Sequence, residues 1–214
     1  MQYNRVVIQR NKLLKELFFH PEYEEMLDIW DMQLASYGRE VSQYRREFIG
    51  ELKELIRPIH QKLSGGKEEL VIQYEPNTEA DQLEAAVKKS READRKQKTT
   101  LVGPHRDDLS FYVNGIDIRR FGSQGQQRTA ALSLKLSEIE LVKKMTKDTP
   151  VLLLDDVLSE LDSNRQNYLL NSIGDIQTII TCTGLDDFVN NRFEINKVFR
   201  VANGTVDAGQ NGGI

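Results

Sequence analysis

The chain has 214 residues, 39% hydrophobic and 29% charged, a composition typical of a globular protein with one large domain or two small ones. Its formal net charge of −4 excludes a protein coated in basic surface, so DNA binding would need local patches. The single cysteine, Cys182, excludes an internal disulfide, no apolar run is long enough to cross a bilayer, and the N-terminus lacks a signal-peptide pattern. We therefore expect a soluble, cytoplasmic protein and interpret Cys182 as a small buried apolar residue.

Apolar residues recur at helical spacing from residue 3 to about residue 63 and predict two helices. Pro21 breaks the first helix and suits the first turn of the second, which is predicted to run towards Pro58. The charged face of the second helix, which we interpret mainly as solvated, carries Arg39, Arg45 and Arg46.

The string Ser64-Gly65-Gly66-Lys67-Glu68 only partly matches a phosphate-binding loop. It lacks the first glycine, and Glu68 stands where a Ser or Thr would meet the metal. We interpret the string as a flexible loop and as the best internal boundary. The sequence therefore contains no phosphate loop of its own.

Residues 70–74 predict a short strand, and Asn77 or Thr78 is expected to cap a helix that runs through Lys98. This helix ends in a basic run of Lys88, Lys89, Arg91, Arg95, Lys96 and Lys98. The charge suits the helix dipole and solvation. The alternative is a patch of contacts to DNA phosphates, with candidates Lys88, Lys89, Arg91 and Arg95.

Alternating apolar residues on both sides of Asn114-Gly115 predict a hairpin over residues 109–121. Just before it, His105-Arg106-Asp107 is similar to part of a kinase catalytic loop, but the Asn that such a loop requires is missing at the right spacing. A metal cluster of His105, Asp107 and Asp108 would be poorly spaced, so we favour a polar turn.

The run Gly122-Ser123-Gln124-Gly125-Gln126-Gln127-Arg128 leads into a long amphipathic helix, predicted over residues 123–147. Glycines let a ligand approach the backbone, and a helix start offers N–H groups and the positive end of its dipole. The pattern favours a phosphate site. The alternative is a Ser N-cap after a glycine turn, which does not require the Gln-rich run.

Residues 151–154 are apolar and predict a strand buried on both faces, which ends in Asp155 and Asp156. Carboxylates at the end of such a strand can hold Mg²⁺ and orient a water. The alternative is a buried strand that runs into an N-cap at Asp156. The sequence then predicts a helix at 164–173, a second buried strand at 177–181, a hairpin at 198–206 and a disordered tail at 207–214.

In this order the strings resemble the ABC-type ATPases. Ser123-Gln124-Gly125-Gln126 is similar to their signature motif, with Gln124 where most members have Gly, residues 151–156 to their Walker B strand, and Ser159-Glu160-Leu161-Asp162 to their D-loop. The resemblance implies an α/β fold, the C-terminal lobe of an ABC-type ATPase head preceded by part of a helical arm. It also implies that two subunits enclose ATP and that five residues face the partner's nucleotide: Ser123, Gln124, Gly125, Gln126 and Arg128.

For the same subunit's nucleotide, the resemblance implies that Asp155 holds Mg²⁺ and Asp156 orients the attacking water. Most members have Glu at position 156, and Asp is one methylene shorter, so we expect slow hydrolysis. Ser159 and Asp162 of the D-loop are implied at the dimer interface. Thr183 stands at about the position of a switch His, but a hydroxyl does not titrate near neutral pH.

Wider strings resemble the RecF family of bacterial recombination mediators, namely residues 9–15, 103–109, 122–129 and 154–162. The resemblance implies a partial helical arm at 1–64, an ATPase lobe at 65–206 and a tail at 207–214, with the phosphate loop in an N-terminal part outside this sequence. We expect an exposed apolar edge where that part would pack. The complete protein would be an ATP-dependent homodimer and weak DNA-dependent ATPase that binds gapped DNA and, with RecR and RecO, helps load RecA.

Two other classes of function stay open. One is an ATP-independent module that binds DNA or RecR through the helical arm and the basic helix. The other is a different ABC-type head, either SMC-like, which would need flanking heptads, or a transporter cassette, which would need a surface for coupling to membrane domains. Neither feature is evident in the sequence.

Overall fold

The computed structural model describes residues 2–158, 161–182 and 196–211. The chain divides into two compact units, Met1–Leu141 and Val142–Ile214. Within the first unit, residues from both sides of position 64 share one hydrophobic cluster. The domain boundaries predicted at residues 64 and 206 stay predictions.

Two packed helices open the first unit. Helix α1 (Gln2–Glu16) and helix α2 (Met26–Leu63) are joined by a short 3-10 helix, Pro21–Glu25, which confirms the predicted break at Pro21. The two helices meet through four buried leucines, Leu13, Leu14, Leu17 and Leu27.

Helix α2 continues through Pro58 to Leu63, which agrees with the helical pattern predicted to about residue 63. Ile56 and Leu63, on either side of this proline, are buried. Burying each of them contributes about 1.5–3 kcal/mol, which together outweighs the roughly 3 kcal/mol that a proline costs inside a helix. Tertiary packing therefore overrides the local signal to stop.

A buried ion cluster ties α1 and α2 to the next helix, α3 (Leu83–Gln97). Arg10 of α1 donates to Asp31 of α2 at 2.7 Å and to Asp94 of α3 at 2.8 Å, and these side chains are at most 1% exposed. Because removing one partner of a buried pair costs about 3–5 kcal/mol, the cluster holds the three helices in one arrangement. Helical periodicity gave no sign of it.

Helix α3 begins at Leu83, later than the cap predicted at Asn77 or Thr78. Asn77 is engaged elsewhere, since its N–H donates to Asp107 at 2.9 Å and its side-chain oxygen accepts from the Gly103 N–H at 3.0 Å. The polar turn at residues 103–107 therefore binds Asn77, which sequence analysis had assigned as a possible cap of α3.

Strands β1 (Leu70–Glu75), β2 (Asp108–Val113) and β3 (Ile116–Asp117) form an antiparallel sheet in that order. Asn114 and Gly115 have φ of 49° and 81°, which confirms the predicted two-residue turn.

The predicted hairpin is cut short by a helix, α4 (Ile118–Phe121). The Asp117 carboxylate accepts from the Arg119 N–H at 2.9 Å and so caps this helix. After it, α5 (Gln124–Thr146) confirms the long helix predicted from residue 123.

In the second unit, β4 (Leu152–Asp155) and β5 (Thr178–Thr181) pair in parallel, and α6 (Ser163–Ser172) lies between them in sequence. All three elements were predicted. Burial of β4 on both faces was wrong, because Leu154 is 7% exposed but Leu153 is 70% exposed. Ile179, directly opposite Leu153, is 57% exposed, so the pair forms an exposed apolar surface.

Two more predictions in this unit need correction. Cys182 is exposed, not buried, because it follows the last residue of β5. Strands β6 (Lys197–Ala202) and β7 (Thr205–Asn211) form the predicted final hairpin. However, β7 continues to Asn211, through residues 207–211 that were predicted as part of a disordered tail.

Candidate nucleotide site

The signature turn, residues 122–128, begins where α4 ends. A side-chain carbon at Gly122 would lie 2.6 Å from the carbonyl oxygen of Ile118, closer than such atoms approach in proteins. Only glycine therefore fits at the position that leads into Ser123.

Ser123 and Gln126 form a capping box at the start of α5. The Gln126 N–H donates to Ser123 Oγ at 3.2 Å, and the Ser123 N–H donates to Gln126 Oε1 at 3.0 Å. This reciprocal pair satisfies a helix N–H that would otherwise lack a partner and also fixes the residue before the helix.

The capped turn keeps groups that suit an anion. Ser123 Oγ accepts from Gln126, which leaves the hydroxyl hydrogen as a donor. The N–H groups of Gln124 and Gly125 lie in the first turn of the helix, where the helix itself provides no acceptor. Ser123, Gln124 and Arg128 are exposed. The two interpretations of the sequence are therefore compatible, because Ser123 caps the helix and can still donate to a phosphate.

Two carboxylates follow one another at the C-terminal end of β4, Asp155 and Asp156. The hydroxyl of Thr181 in β5 donates to Asp155 Oδ1, and its oxygen accepts from the Asp156 N–H at 3.1 Å. Asp156 has a φ of +51°, a conformation that is disfavoured for non-glycine residues and concentrated at functional sites. The exposed carboxylate oxygens are ligands that Mg²⁺ prefers.

Sequence analysis missed Thr181. Its contact with Asp155 depends on the parallel register of β4 and β5, in which these two residues lie opposite each other. The only available signal was a hydroxyl at the end of the second predicted strand.

The structure describes Asp162, one of the two D-loop candidates, but not Ser159. Asp162 caps α6, accepting from the Asn164 and Arg165 N–H groups at 3.1 Å each, and it pairs with the Arg165 guanidinium at 2.9 Å. Ser159 lies outside the described residues, as does Thr183, the candidate switch position.

Two of the candidate DNA contacts on α3 hold the fold together. Arg91 pairs with Asp31 at 2.6 Å and also with Asp28, and Arg95 pairs with Glu24 at 2.8 Å. The side chain of Lys88 pairs with Glu84 on the same helix at 3.0 Å, and Lys89 is exposed. Since ion pairs compete with phosphate contacts, Lys89 is the most accessible of the four candidates.

Arg45 and Arg46 of the predicted arm are also paired. Arg46 bonds Glu79 at 2.7 Å, which raises the pKa of its guanidinium. Arg45 bonds Asp107 at 2.9 Å, although that carboxylate is almost fully buried. This part of α2 is therefore joined to the polar turn and to the segment before α3.

The polar turn at residues 103–107 is confirmed. Asp107 accepts from Arg45, from the Tyr74 hydroxyl and from the Asn77 N–H. Burial, followed by the bond to Asp107, raises the pKa of Tyr74.

His105 lies in the same turn and is partly buried. Its Nε2 is 3.0 Å from the carbonyl oxygen of Thr100, an acceptor, so Nε2 carries a hydrogen and Nδ1 accepts from the Tyr3 hydroxyl at 2.7 Å. Burial lowers the pKa of His105 and raises that of Tyr3. The imidazole is therefore held in its neutral form.

Within the described ranges, no group of three His, Cys, Asp or Glu side chains is close enough to hold a metal ion. In the same part of the chain, none of the helices combines the length and apolar character that a membrane span needs.

Three features define the class of protein. They are a long helix capped onto a glycine turn, a parallel strand that ends in two carboxylates, and the helices that precede both. This is the fold of the C-terminal lobe of an ABC-type ATPase head preceded by part of a helical arm.

Comparison with known proteins gives the family. Over 206 residues the chain is 59% identical to the DNA replication and repair protein RecF of Agathobacter rectalis, covering 96% of this chain and 57% of that protein. It is 44% identical over 211 residues to RecF of Clostridium perfringens, covering 96% of this chain and 58% of that one. A solved structure of the recombination mediator protein RecF with ATP in the RecFOR pathway has a TM-score of 0.85 and 36% identity, covering 98% of this chain and 57% of that one. No protein-family profile matches.

The chain belongs to the RecF family and corresponds to a C-terminal part of its members. It spans about 57% of the length of the first curated relatives it matches.

Proposed function

We propose that this chain supplies half of a composite ATP site in a RecF-type DNA repair and recombination protein. The observation that carries the proposal is the capped signature turn, which presents a hydroxyl and two N–H groups at the positive end of a 23-residue helix. The phosphate loop would come from the N-terminal part of the complete protein, and two subunits would enclose each ATP.

The signature turn would act on the partner's nucleotide. Ser123 and the Gly125 N–H would donate to the γ-phosphate, while Gln126 holds the turn through the capping box. Gln124 and Arg128 are exposed on the same helix start. These contacts would form only when ATP brings two subunits together, so ATP would stabilise the dimer.

The carboxylates of β4 would act on the subunit's own nucleotide. Asp155 would hold Mg²⁺, directly or through water, and Asp156 would orient the attacking water. Because Asp156 reaches less far than the usual Glu, hydrolysis would be slow, and its dependence on DNA is proposed from the resemblance to RecF. Asp162 would move from its contact with Arg165 to reach across the dimer.

The complete protein would work in the cytoplasm, at the nucleoid, on gapped DNA. The dimer would close on DNA when ATP binds and open on hydrolysis, and with RecR and RecO it would help load RecA. Lys89 is the first candidate on α3 for contacts to DNA phosphates, followed by Lys88, whose exposed pair with Glu84 lies within the same helix, because Arg91 and Arg95 pair with α2 and with the 3-10 helix before it.

The test uses the complete protein and two substitutions of Ser123, with dimer formation followed by sedimentation against ATP concentration. Ser123→Ala removes both the cap and the phosphate donor. Ser123→Asp keeps a strong N-cap but places a negative charge against the γ-phosphate. Under the proposal both variants bind ATP as monomers but do not dimerise, and Ser123→Asp keeps its thermal stability. ATP-driven dimerisation of Ser123→Asp at the unsubstituted level would rule the composite site out.

A further inference from the structure

A chain of polar contacts under the signature turn starts at His60, near the C-terminal end of α2. Its side chain is 0% exposed, and its Nδ1 lies 2.9 Å from Ser133 Oγ on α5. A fully buried histidine between two helices is not used by the proposed ATP chemistry.

The donor and the acceptor of this hydrogen bond can be assigned from the neighbouring bond of Ser133. The Ser133 hydroxyl donates to the Thr129 carbonyl oxygen at 2.7 Å, so Ser133 Oγ must accept from the imidazole, and Nδ1 carries a hydrogen. His60 Nε2 then faces Glu68 Oε2 at 3.3 Å. The two side chains are therefore within ion-pair distance of each other.

The other oxygen of Glu68 reaches the turn itself. Glu68 Oε1 accepts from Gln126 Nε2 at 3.2 Å, while Gln126 Oε1 accepts from the Ser123 N–H at 3.0 Å. The Gln126 amide is therefore held at both ends and in one orientation. Without Glu68, the amide could rotate by half a turn, present its NH₂ group to the Ser123 N–H and lose one bond of the capping box.

Two side chains of α5, Thr129 and Ser133, also support the turn. The Thr129 hydroxyl donates to the Gly125 carbonyl oxygen at 2.7 Å, and the backbone carbonyl oxygen of Thr129 accepts from the Ser133 hydroxyl at 2.7 Å. His60 of α2 therefore contacts both Ser133 of α5 and Glu68, the residue that bonds Gln126 of the turn.

We infer that Glu68 and His60 are positioning residues for the signature turn, which they hold in its phosphate-binding shape by fixing the Gln126 amide. The inference rests on the proposed function for its effect on ATP, but the fixed turn itself does not require ATP. Ser64-Gly65-Gly66-Lys67-Glu68, which fails as a phosphate loop, would serve the partner's phosphate indirectly through its last residue.

The experiment compares Glu68→Ala and Glu68→Gln with the matched control Glu69→Ala in the complete protein. Glu69 is the adjacent acid and also pairs with α2, through Arg57 at 2.6 Å, but its side chain is exposed. We expect Glu68→Ala to raise the ATP concentration for half-maximal dimerisation by about tenfold, the value of one charged hydrogen bond, with ATP affinity of the monomer unchanged. Glu68→Gln should restore most of the loss, because its amide oxygen can still accept from Gln126, and Glu69→Ala should behave as the unsubstituted protein.

Amide hydrogen exchange of Ser123 is the second readout, and it needs no nucleotide. Glu68→Ala should speed exchange at this amide by about tenfold, and Glu69→Ala should not. Equal exchange in the two variants would overturn the inference, whatever the result with ATP. If Ser123→Asp blocks ATP-driven dimerisation but Glu68→Ala does not, the proposed function stands and the inference fails. If Ser123→Asp leaves dimerisation intact, the proposed function fails, and the exchange rates alone decide the inference.

Discussion

The two candidate parts of the nucleotide site are built very differently. The signature turn is bonded on several sides, by the capping box, by Glu68 and by Thr129. The carboxylate end of β4 belongs to a pair of strands that exposes Leu153 and Ile179, and Thr181 of the neighbouring strand contacts both acids.

This difference indicates which part of the site can keep its structure without contacts from another domain. The turn has its supports within residues 2–141, where Thr129 and Ser133 are buried and Glu68 is partly buried. The β4 edge exposes apolar surface of the kind that marks a contact with another domain. Under our proposal the missing N-terminal part covers that surface and completes the metal site.

The largest effect is expected at the carboxylates. Under our proposal, Asp156→Asn should lower the rate of ATP hydrolysis by the complete protein by about 10²–10⁴-fold, since it removes the group proposed to orient the attacking water. ATP-driven dimerisation should persist, because the signature turn is unchanged. Phosphate release measures the rate, and Asp175→Asn, an exposed acid of the same unit, is the control. Equal loss in both variants would contradict the role of Asp156.

A lysine substitution on β4 sharpens the comparison of its two faces. Leu154→Lys should destabilise the 214-residue chain by more than about 3 kcal/mol, since it buries a charge in a packed site. Leu153→Lys should stay within about 0.5 kcal/mol in the same chain but cost about 2–3 kcal/mol in the complete protein, where its partner surface would be present. Urea unfolding measures both. If Leu153→Lys leaves the free energy of unfolding of the complete protein unchanged, no other part of the protein packs on this face of β4.

The capping box provides a smaller test of the turn. Ser123→Ala should lower the free energy of unfolding of the 214-residue chain by about 1 kcal/mol, because a helix N–H loses its acceptor. Gln124→Ala, next to it and exposed, is the control and should change little. Equal free energies of unfolding for the two variants would show that the cap does not stabilise the chain.

The smallest effect concerns the polar turn and pH. Burial lowers the pKa of His105, so the unfolded chain binds a proton where folded His105 stays neutral. Its contribution to stability is therefore complete above the ordinary histidine pKa of about 6.5 and is lost as the pH falls below that value towards the folded pKa. His105→Gln should flatten the loss of the free energy of unfolding between about pH 7 and pH 5, measured by urea unfolding at each pH. An unchanged slope in His105→Gln would contradict the assignment.

Local patterns predicted most of the elements. Helical spacing and Pro21 gave α1 and α2, Asn114-Gly115 gave the β2–β3 turn, and the apolar runs gave β4 and β5. The cap by Ser123 at the start of α5 was the alternative interpretation of its residues, and the structure shows it. Each of these signals acts within a few residues along the chain.

Most parts that sequence analysis missed depend on distant partners, whereas α4, which was also missed, is capped locally by Asp117. Arg10 meets Asp94 across 84 positions, Thr181 meets Asp155 only through strand register, and His60 reaches Ser133 on another helix. The late start of α3 has the same cause, since Asn77 bonds Gly103 and Asp107. No local spacing encodes these contacts.

The most direct test of the composite site mixes two inactive complete proteins in the presence of ATP. One carries Ser123→Asp, and the other has an inactivated phosphate loop in its N-terminal part. Our account predicts that neither forms ATP-dependent dimers alone, and that the mixture forms a heterodimer, because one phosphate loop then faces one intact signature turn. A mixture that stays monomeric, although the unsubstituted protein dimerises with ATP, would contradict a site shared between two subunits.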